Sequence, residues 1–416
     1  MLSDAQNRWL AEQSYWVDTR KDNKPYIPEK EEQYYYNSNN PKLGKFEVLK
    51  TENNEKNGMQ AMAVAPVDKN GNADTTEIVI AYAGTNFADA KDRATDLQTV
   101  ILGDKMFEQS PAHPYTGSKI DGQVMTAQKF ANEIKAKYPD AKISTTGHSL
   151  GEFLALTVSA ENQWRNVGFN GPDPSNILSE KAKKWVEENP GMLTNYRNRA
   201  DLIGNFGGDD ISVAITVSME MGTHLNPVDY HQLSNWTFDK EGKLKIPNND
   251  YNQKAILQQA ERYLMMEYTA KLSGLLALHK KFQMSGRGIS SNEQIYLDDS
   301  HALAIIETAV AEFKISTALV IKIYQDGMAD AEKIWNETLQ EARKCGDLLT
   351  ESEILDELEC VGCTEKRLVI EPCKDYQNKI NKVKKMGDSF DCLAADIKNS
   401  IEALKQKDRD LALQLA

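Results

Sequence analysis

Short apolar runs alternate with helix-like patterns over residues 1–245. The runs that predict strands lie at 46–49, 59–64, 78–82, 141–146, 167–169 and 193–196. The run at 78–82 is continuously apolar, which is typical of a central strand that is buried on both faces. Apolar residues at helical spacing over 124–138 end at Pro139. This order of strands and helices predicts an α/β domain with a mainly parallel sheet.

A different pattern occupies residues 246–416. Apolar residues alternate in steps of three and four over 303–324, and the same rhythm returns over 380–404. The pattern predicts two long helices, each about 60 Å long at 1.5 Å per residue, that pack as an elongated hairpin with Pro372 in the connection. We therefore expect a separate, all-α second domain over 246–416.

The charge balance excludes one class of partner. Lys and Arg total 49 against 62 Asp and Glu, so the net charge is −13 at neutral pH. Such a charge repels the phosphate backbone of nucleic acids and anionic lipid surfaces. Nucleic acid is therefore not an expected partner, and docking to a membrane would need an apolar patch or a second protein.

The N-terminal sequence has no pattern of a cleavable signal peptide. Asp4 and Arg8 interrupt any apolar run, and Ser3 with Gln6 is typical of a capping box at the start of an amphipathic helix. The most apolar later stretch, at 318–324, is too short to span a membrane. We expect a soluble chain without a transmembrane segment.

The pentapeptide Gly-His-Ser-Leu-Gly at 147–151 lies between a predicted strand and an apolar helical run. This context is required by a nucleophile elbow, a strained turn that projects the Ser149 hydroxyl above the sheet. Glycines on either side of Ser149 avoid clashes with the neighbouring strand and helix. The pattern predicts that Ser149 is a nucleophile with a hydroxyl at the protein surface.

A serine hydroxyl needs a base, and in an elbow enzyme the acid and the histidine follow the serine along the chain. Only His224 and His231 follow it within the first domain, and His231 is the preferred base because it lies in a polar loop segment. Asp201, which follows the predicted strand at 193–196, is the preferred acid. His224, and Asp209 with Asp210, remain the alternatives.

Three separated segments resemble the motifs of class 3 lipases. Ala83-Gly84-Thr85 resembles the strand-end oxyanion segment of that family, Asp96-Leu97 resembles its acidic motif, and the segment 146–151 matches its elbow. The resemblance implies an α/β-hydrolase fold and a lipase or phospholipase that hydrolyses carboxylic esters of lipids, with cleavage expected at the sn-1 position. It implies the triad Ser149, Asp201 and His231, without a metal or cofactor.

The resemblance also implies two further features of the site. The amides of Thr85 and Leu150, together with the Thr85 hydroxyl, would hold the developing oxyanion. Residues 97–115 would form a lid with an apolar face suited to acyl chains.

The sequence departs from the family at two positions. The family usually has arginine at the position of Ala83 and a further glycine at the position of Glu152. Gly-His-Ser-Leu-Gly-Glu is instead similar to malonyl-type acyltransferases, which need no acid at the place of Asp201. Their glycine-rich oxyanion segment is not found in this sequence, so acyl transfer to an acceptor other than water is the second hypothesis.

The helical half resembles LXG-type substrates of the type VII secretion system, here with the enzyme first. That resemblance implies a toxin that is secreted without a cleavable signal peptide, small helical accessory proteins bound to residues 246–416, and an immunity protein. The alternative is a cytoplasmic lipase whose hairpin mediates self-association. All five cysteines lie in this half, and their spacing favours free thiols or disulfides over a zinc site.

Overall fold

The computed structural model describes residues 2–19, 24–37, 39–40, 43–84, 122–219, 221, 227–284, 289–344 and 349–415. The chain divides into two compact units, Met1–Ala255 and Ile256–Ala416.

The first unit alternates strands and helices, as its hydrophobic pattern predicts. The strands are β1 (Gln33–Tyr35), β2 (Lys45–Asn53), β3 (Gln60–Pro66), β4 (Glu77–Tyr82), β5 (Lys142–Gly147), β6 (Arg165–Phe169), β7 (Leu193–Asn198) and β8 (Ala214–Val217). The helices are α1 (Asp4–Ser14), α2 (Gln123–Lys137), α3 (Leu150–Asn162) and α4 (Glu180–Glu188). The capping box of Ser3 and Gln6 starts α1.

The strands form one eight-stranded sheet in the order of the sequence, β1 to β8. β1 to β4 pair antiparallel, and β4 to β8 pair parallel, so the prediction of a mainly parallel α/β sheet is confirmed. β4 lies in the middle of the sheet, and five of its six residues are buried. Consecutive parallel strands with helical crossovers bring the carboxyl ends of β5, β6 and β7 to the same edge.

Helices cover both faces of the sheet. On one face, α2 and α3 pack on β3 and β4 through a core that includes Phe130, Ile134 and Phe153. On the other face, Leu10 of α1 packs with Val64 and Val79. The sheet therefore has no open face over its centre, which explains the continuous apolar run in β4.

The second unit contains α6 (Ser291–Lys344), α7 (Glu351–Cys360) and α8 (Glu371–Leu415), together with most of α5 (Gln253–Met284). α6 and α8 pack antiparallel, because Phe313 stacks on Phe390 and Tyr324 contacts Tyr376. The expected hairpin of long helices is therefore confirmed, and α6, with 54 residues, is about 80 Å long at 1.5 Å per residue.

The helical unit differs from the sequence-based prediction in one additional helix and in the position of Pro372. α5 is a further helix that the apolar pattern did not single out. Pro372 does not lie in a loop connection: it lies at the start of α8, which continues directly from the π-helical turn Lys366–Ile370, and a proline fits where the helical hydrogen-bond pattern is already interrupted. Of the cysteines, Cys345 lies outside the described residues, and the other four are free thiols. Among the described helices, none is both long enough and apolar enough to cross a membrane.

Candidate active site

The turn between β5 and α3 has the geometry of a nucleophile elbow. Ser149 has φ +60° and ψ −129°, a conformation that costs a side-chain-bearing residue about 1–3 kcal/mol. Its amide donates to the Phe169 carbonyl of β6 at 3.1 Å. A Cβ on Gly151 would lie 2.2 Å from the carbonyl oxygen of Tyr82, so only glycine lets α3 approach β4 this closely. The elbow is thus held by both neighbouring strands.

The Ser149 side chain is buried, which corrects the expectation of a surface hydroxyl. Within the described part of the chain, Ser149 Oγ has no hydrogen-bond partner. The contact between nucleophile and base is therefore not formed in this state. Catalytic hydrogen bonds in ligand-free enzymes are often long and tighten only with bound substrate.

Asp201 and His231 form a buried pair. His231 Nδ1 lies 2.8 Å from Asp201 Oδ2, and both side chains are almost completely buried. Asp201 follows β7 and is oriented by the Ile203 amide, which donates to Oδ1 at 3.0 Å. Because a carboxylate accepts, Nδ1 of His231 carries the hydrogen, and Nε2 is the nitrogen with a lone pair for a proton.

The alternative acids are engaged elsewhere. Asp209 Oδ1 accepts from the amides of Val213 and Ala214, at 3.1 Å each. Asp210 Oδ2 accepts from Ser175 Oγ at 3.2 Å. Neither aspartate has a hydrogen bond to His231 in the described part of the chain. The alternative base His224 lies outside the described residues.

The structure describes part of the expected oxyanion site. Leu150 is the first residue of α3, and Ser149 is the N-cap, so the Leu150 amide has no acceptor within the helix. The N-terminus of α3 adds the positive end of the helix dipole at this point. Thr85, Asp96 and the lid segment 97–115 lie outside the described residues.

The backbone around His231 is held by side chains that sequence reasoning missed. Asn198 Nδ2, at the end of β7, donates to the Tyr230 carbonyl at 3.1 Å. Asn170 Nδ2, just after β6, donates to the His231 carbonyl at 3.0 Å. Arg8 Nε of α1 donates to the Leu233 carbonyl at 3.1 Å. The one available signal was that polar residues directly follow the predicted strands.

His148 also contacts this backbone. Its Nε2 lies 2.7 Å from the His231 carbonyl oxygen, and its Nδ1 lies 2.9 Å from the Tyr15 hydroxyl. The rings of His148 and His231 are adjacent, with centroids 4.6 Å apart. Burial, together with the neighbouring His231, holds the pKa of His148 well below its ordinary value of 6.5.

Glu152, in the first turn of α3, points into the protein beneath the elbow. A Cβ on Gly168 would lie 1.6 Å from Glu152 Oε2, and one on Gly171 would lie 2.4 Å from its Cγ. Asn166 Nδ2 donates to Oε2 at 3.2 Å. Burial raises the pKa of Glu152 well above 4.5, partly opposed by Asn166 and by the Arg197 guanidinium. Two glycines thus make room for the Glu152 side chain.

No group of three or more aspartate, glutamate, histidine or cysteine side chains with the arrangement of metal ligands occurs among the residues that the structure describes.

Comparisons with known proteins give low similarity. No family model matches the sequence, and no curated protein matches it. Among solved structures, lipase II from Rhizopus niveus is 15% identical over 50% of this chain and 75% of that chain, with a TM-score of 0.31. A mutant form of MDLA from Penicillium cyclopium is 12% identical over 58% of this chain and 83% of its own, with a TM-score of 0.33. Both matches cover about half of this chain, at low identity.

Proposed function

We propose that the α/β unit is a serine hydrolase that cleaves carboxylic esters of lipids. The observation that carries this proposal is the buried hydrogen bond of 2.8 Å between His231 and Asp201, at the edge of the sheet where the elbow presents Ser149. Nucleophile, base and acid follow one another in the order of an elbow enzyme. Neither a strained serine nor a buried histidine–aspartate pair is needed for folding alone.

The proposed reaction has two stages. Ser149 Oγ attacks the ester carbonyl carbon while His231 Nε2 takes the hydroxyl proton. His231 then gives this proton to the leaving alcohol, and an acyl-enzyme remains. Water attacks the acyl carbon, its proton passes through His231 to Ser149, and the carboxylic acid leaves. Asp201 fixes the tautomer of His231 and stabilises the imidazolium that forms twice in the cycle.

The oxyanion of both tetrahedral intermediates would be held at the N-terminus of α3. The Leu150 amide is the donor that the structure describes there, and Thr85 would supply the second. In other hydrolases, one such donor contributes roughly 3 kcal/mol to the barrier reduction. Because Ser149 and His231 are both buried, binding of an ester must first uncover them.

The acyltransferase hypothesis ranks second. Malonyl-type transferases have no acid at the place of Asp201, whereas this chain buries Asp201 on His231. That contact supports hydrolysis.

The substrate class is tested by incubating the purified full chain with defined phospholipids and neutral glycerides. Free fatty acid and the surviving lyso-isomer are then measured. We expect release of the sn-1 acyl chain from phospholipid, and no release by Ser149→Ala, which removes only the hydroxyl. If the intact protein hydrolyses neither lipids nor soluble esters, the proposed function is wrong. The export route, the helical partners and the immunity protein remain predictions from the sequence, and this proposal does not depend on them.

A further inference from the structure

We infer that His148 is a positioning residue for the catalytic histidine, and that Tyr15 fixes the tautomer in which it acts. The inference rests on the proposed function. It starts from the contact between His148 Nε2 and the His231 carbonyl oxygen, at 2.7 Å. In the elbow sequence, His148 is the residue before the nucleophile, yet its ring points to the backbone of the base.

The acceptor determines the protonation of the His148 ring. A carbonyl oxygen can only accept, so Nε2 of His148 must carry a hydrogen. In the neutral ring Nδ1 is then an acceptor, and the Tyr15 hydroxyl at 2.9 Å is the donor. The Tyr15 oxygen in turn accepts from the Gly84 amide, and of the two acceptors near its own hydrogen, His148 Nδ1 at 2.9 Å is closer than the His148 carbonyl oxygen at 3.3 Å.

The surroundings keep this ring neutral. His148 is buried, and the groups that face it are Tyr15 from the turn after α1, Arg8 from α1, and His231. Burial is the largest cause of its lowered pKa, and the positive charge of Arg8 acts in the same direction. During the reaction His231 becomes an imidazolium 4.6 Å away, which opposes a second charge on His148 still further.

The position of the His231 backbone depends on two donors, one from the elbow and one from the residue after β6. Asn170 Nδ2 and His148 Nε2 both donate to the His231 carbonyl, and together they occupy its two lone pairs. His148 also shares the elbow with Ser149. A movement of the nucleophile is therefore coupled to the backbone of its base, so one contact sets the relative position of both groups.

The kinetic test compares two replacements of His148 in the full chain. The amide nitrogen of glutamine is as many bonds from Cβ as Nε2 of histidine is. The amide nitrogen of asparagine is one bond closer, at the position of Nδ1. For a soluble ester such as p-nitrophenyl butyrate, we expect H148N to lower kcat by about tenfold to a hundredfold with little change in KM, because the base is misplaced. H148Q should restore most of the loss. Equal kcat values for the two variants, at equal melting temperatures, would overturn the positioning role.

A second test concerns Tyr15. Y15F removes the donor to Nδ1 but keeps the ring, so it should lower kcat in the wild-type background. Combined with H148Q it should have no further effect, because an amide has no tautomer to fix. An equal loss in both backgrounds would mean that Tyr15 acts through the backbone of Gly84 or His148, and the tautomer argument would be wrong.

The closing experiment reads the tautomer directly and does not require activity. The ¹⁵N chemical shifts of the His148 ring in the full chain should report hydrogen on Nε2 only, from pH 8 down to pH 5. In Y15F, where only the His231 carbonyl still favours hydrogen on Nε2, the share of the Nδ1–H tautomer should rise. An Nδ1–H tautomer in the wild type, or protonation near pH 6.5, would overturn the inference. An inactive wild-type chain that still shows the Nε2–H tautomer would instead count against the proposed function alone.

Discussion

In the α/β unit, polar side chains such as Asp201, Asn170 and Arg197 are buried and hydrogen-bonded within the fold. Along α6 and α8 of the helical unit no charged side chain of the described residues is buried, as in the ion pair of Lys314 with Asp391, where both partners are about half exposed. Burying a polar group is costly unless its partners are in place, so the first unit specifies one arrangement at the edge of its sheet. Exposed ion pairs contribute little and specify little.

The difference extends to packing. Around the elbow, glycines let backbones approach each other, as Gly151 does with Tyr82. In the helical unit Gly387 has open space where a Cβ would lie, and α6 and α8 pack through side chains such as Phe313 on Phe390. We conclude that the first unit fixes the positions of buried polar groups at its sheet edge, whereas the second contains long helices, α6 and α8, whose described charged side chains stay in contact with solvent.

The largest expected effect concerns the triad. H231A should lower kcat by about 10⁵-fold or more, as much as S149A, because triad members act as a unit. D201N should lower it by about 10⁴-fold, because the amide favours the wrong tautomer of the histidine. The matched control is D210N, since Asp210 is exposed and accepts from the Ser175 hydroxyl. The rates are measured with a soluble ester, and a comparable loss in D210N with little loss in D201N would reassign the acid.

The next largest effect is on stability, and it is tested at one glycine from each unit. G151A should destabilise the first unit by about 3 kcal/mol or more, because the added Cβ meets backbone that cannot move without disturbing β4. G387A should stabilise α8 by up to about 1 kcal/mol, since alanine is the better helix former and nothing lies within 4 Å. Calorimetry of the full chain gives both values. A neutral G151A would contradict the close approach of α3 and β4.

A smaller effect is expected within the helical seam. F390A removes a ring that stacks on Phe313 at a centroid distance of 4.3 Å, and it should cost about 2 kcal/mol because the ring is only half buried. L404A, at an exposed position of the same helix, should change stability by less than about 0.5 kcal/mol. Both variants should keep the wild-type kcat for a soluble ester. A loss of kcat in F390A would show that the helical unit helps to build the site.

The smallest effect concerns the pH dependence of stability. The raised pKa of Glu152 means that the unfolded chain releases this proton near pH 4.5 while the folded chain retains it. The contribution of Glu152 is therefore fully present below pH 4.5 and is lost as the pH rises towards the folded-state pKa. E152Q keeps the shape without a titrating group, so its stability relative to the wild type should increase with pH. Denaturant unfolding at pH 5 and pH 8 measures this difference, and a gap that does not widen would contradict a neutral Glu152.

The local parts of the fold could be predicted from the sequence. The strand at 78–82 is a continuous apolar run, the helix over 124–138 has apolar residues at helical spacing, and the elbow is a contiguous motif. α5 was missed because consecutive apolar residues, such as Leu264-Met265-Met266, blur any single stripe. β8 was missed because it contains only four residues.

The contacts that position the catalytic residues could not be predicted, because they join distant parts of the chain. His148 and His231 are 83 positions apart, and Tyr15 and His148 are 133 positions apart. Such contacts depend on which strand ends meet at the sheet edge, and no local pattern encodes this. The triad could be predicted because the order of its members along the chain leaves few candidates. An asparagine after a strand, such as Asn170, has many structural roles and is not singled out in this way.

The central claim, that Ser149 is a nucleophile activated by His231, is tested most directly by covalent labelling. A fluorophosphonate forms a bond from phosphorus to an activated serine oxygen and releases fluoride. Intact mass and peptide mapping of the full chain should show one adduct per chain, located on Ser149. The adduct should be absent in S149A and should form far more slowly in H231A. An adduct on another serine, or equal labelling rates in the wild type and H231A, would contradict the account.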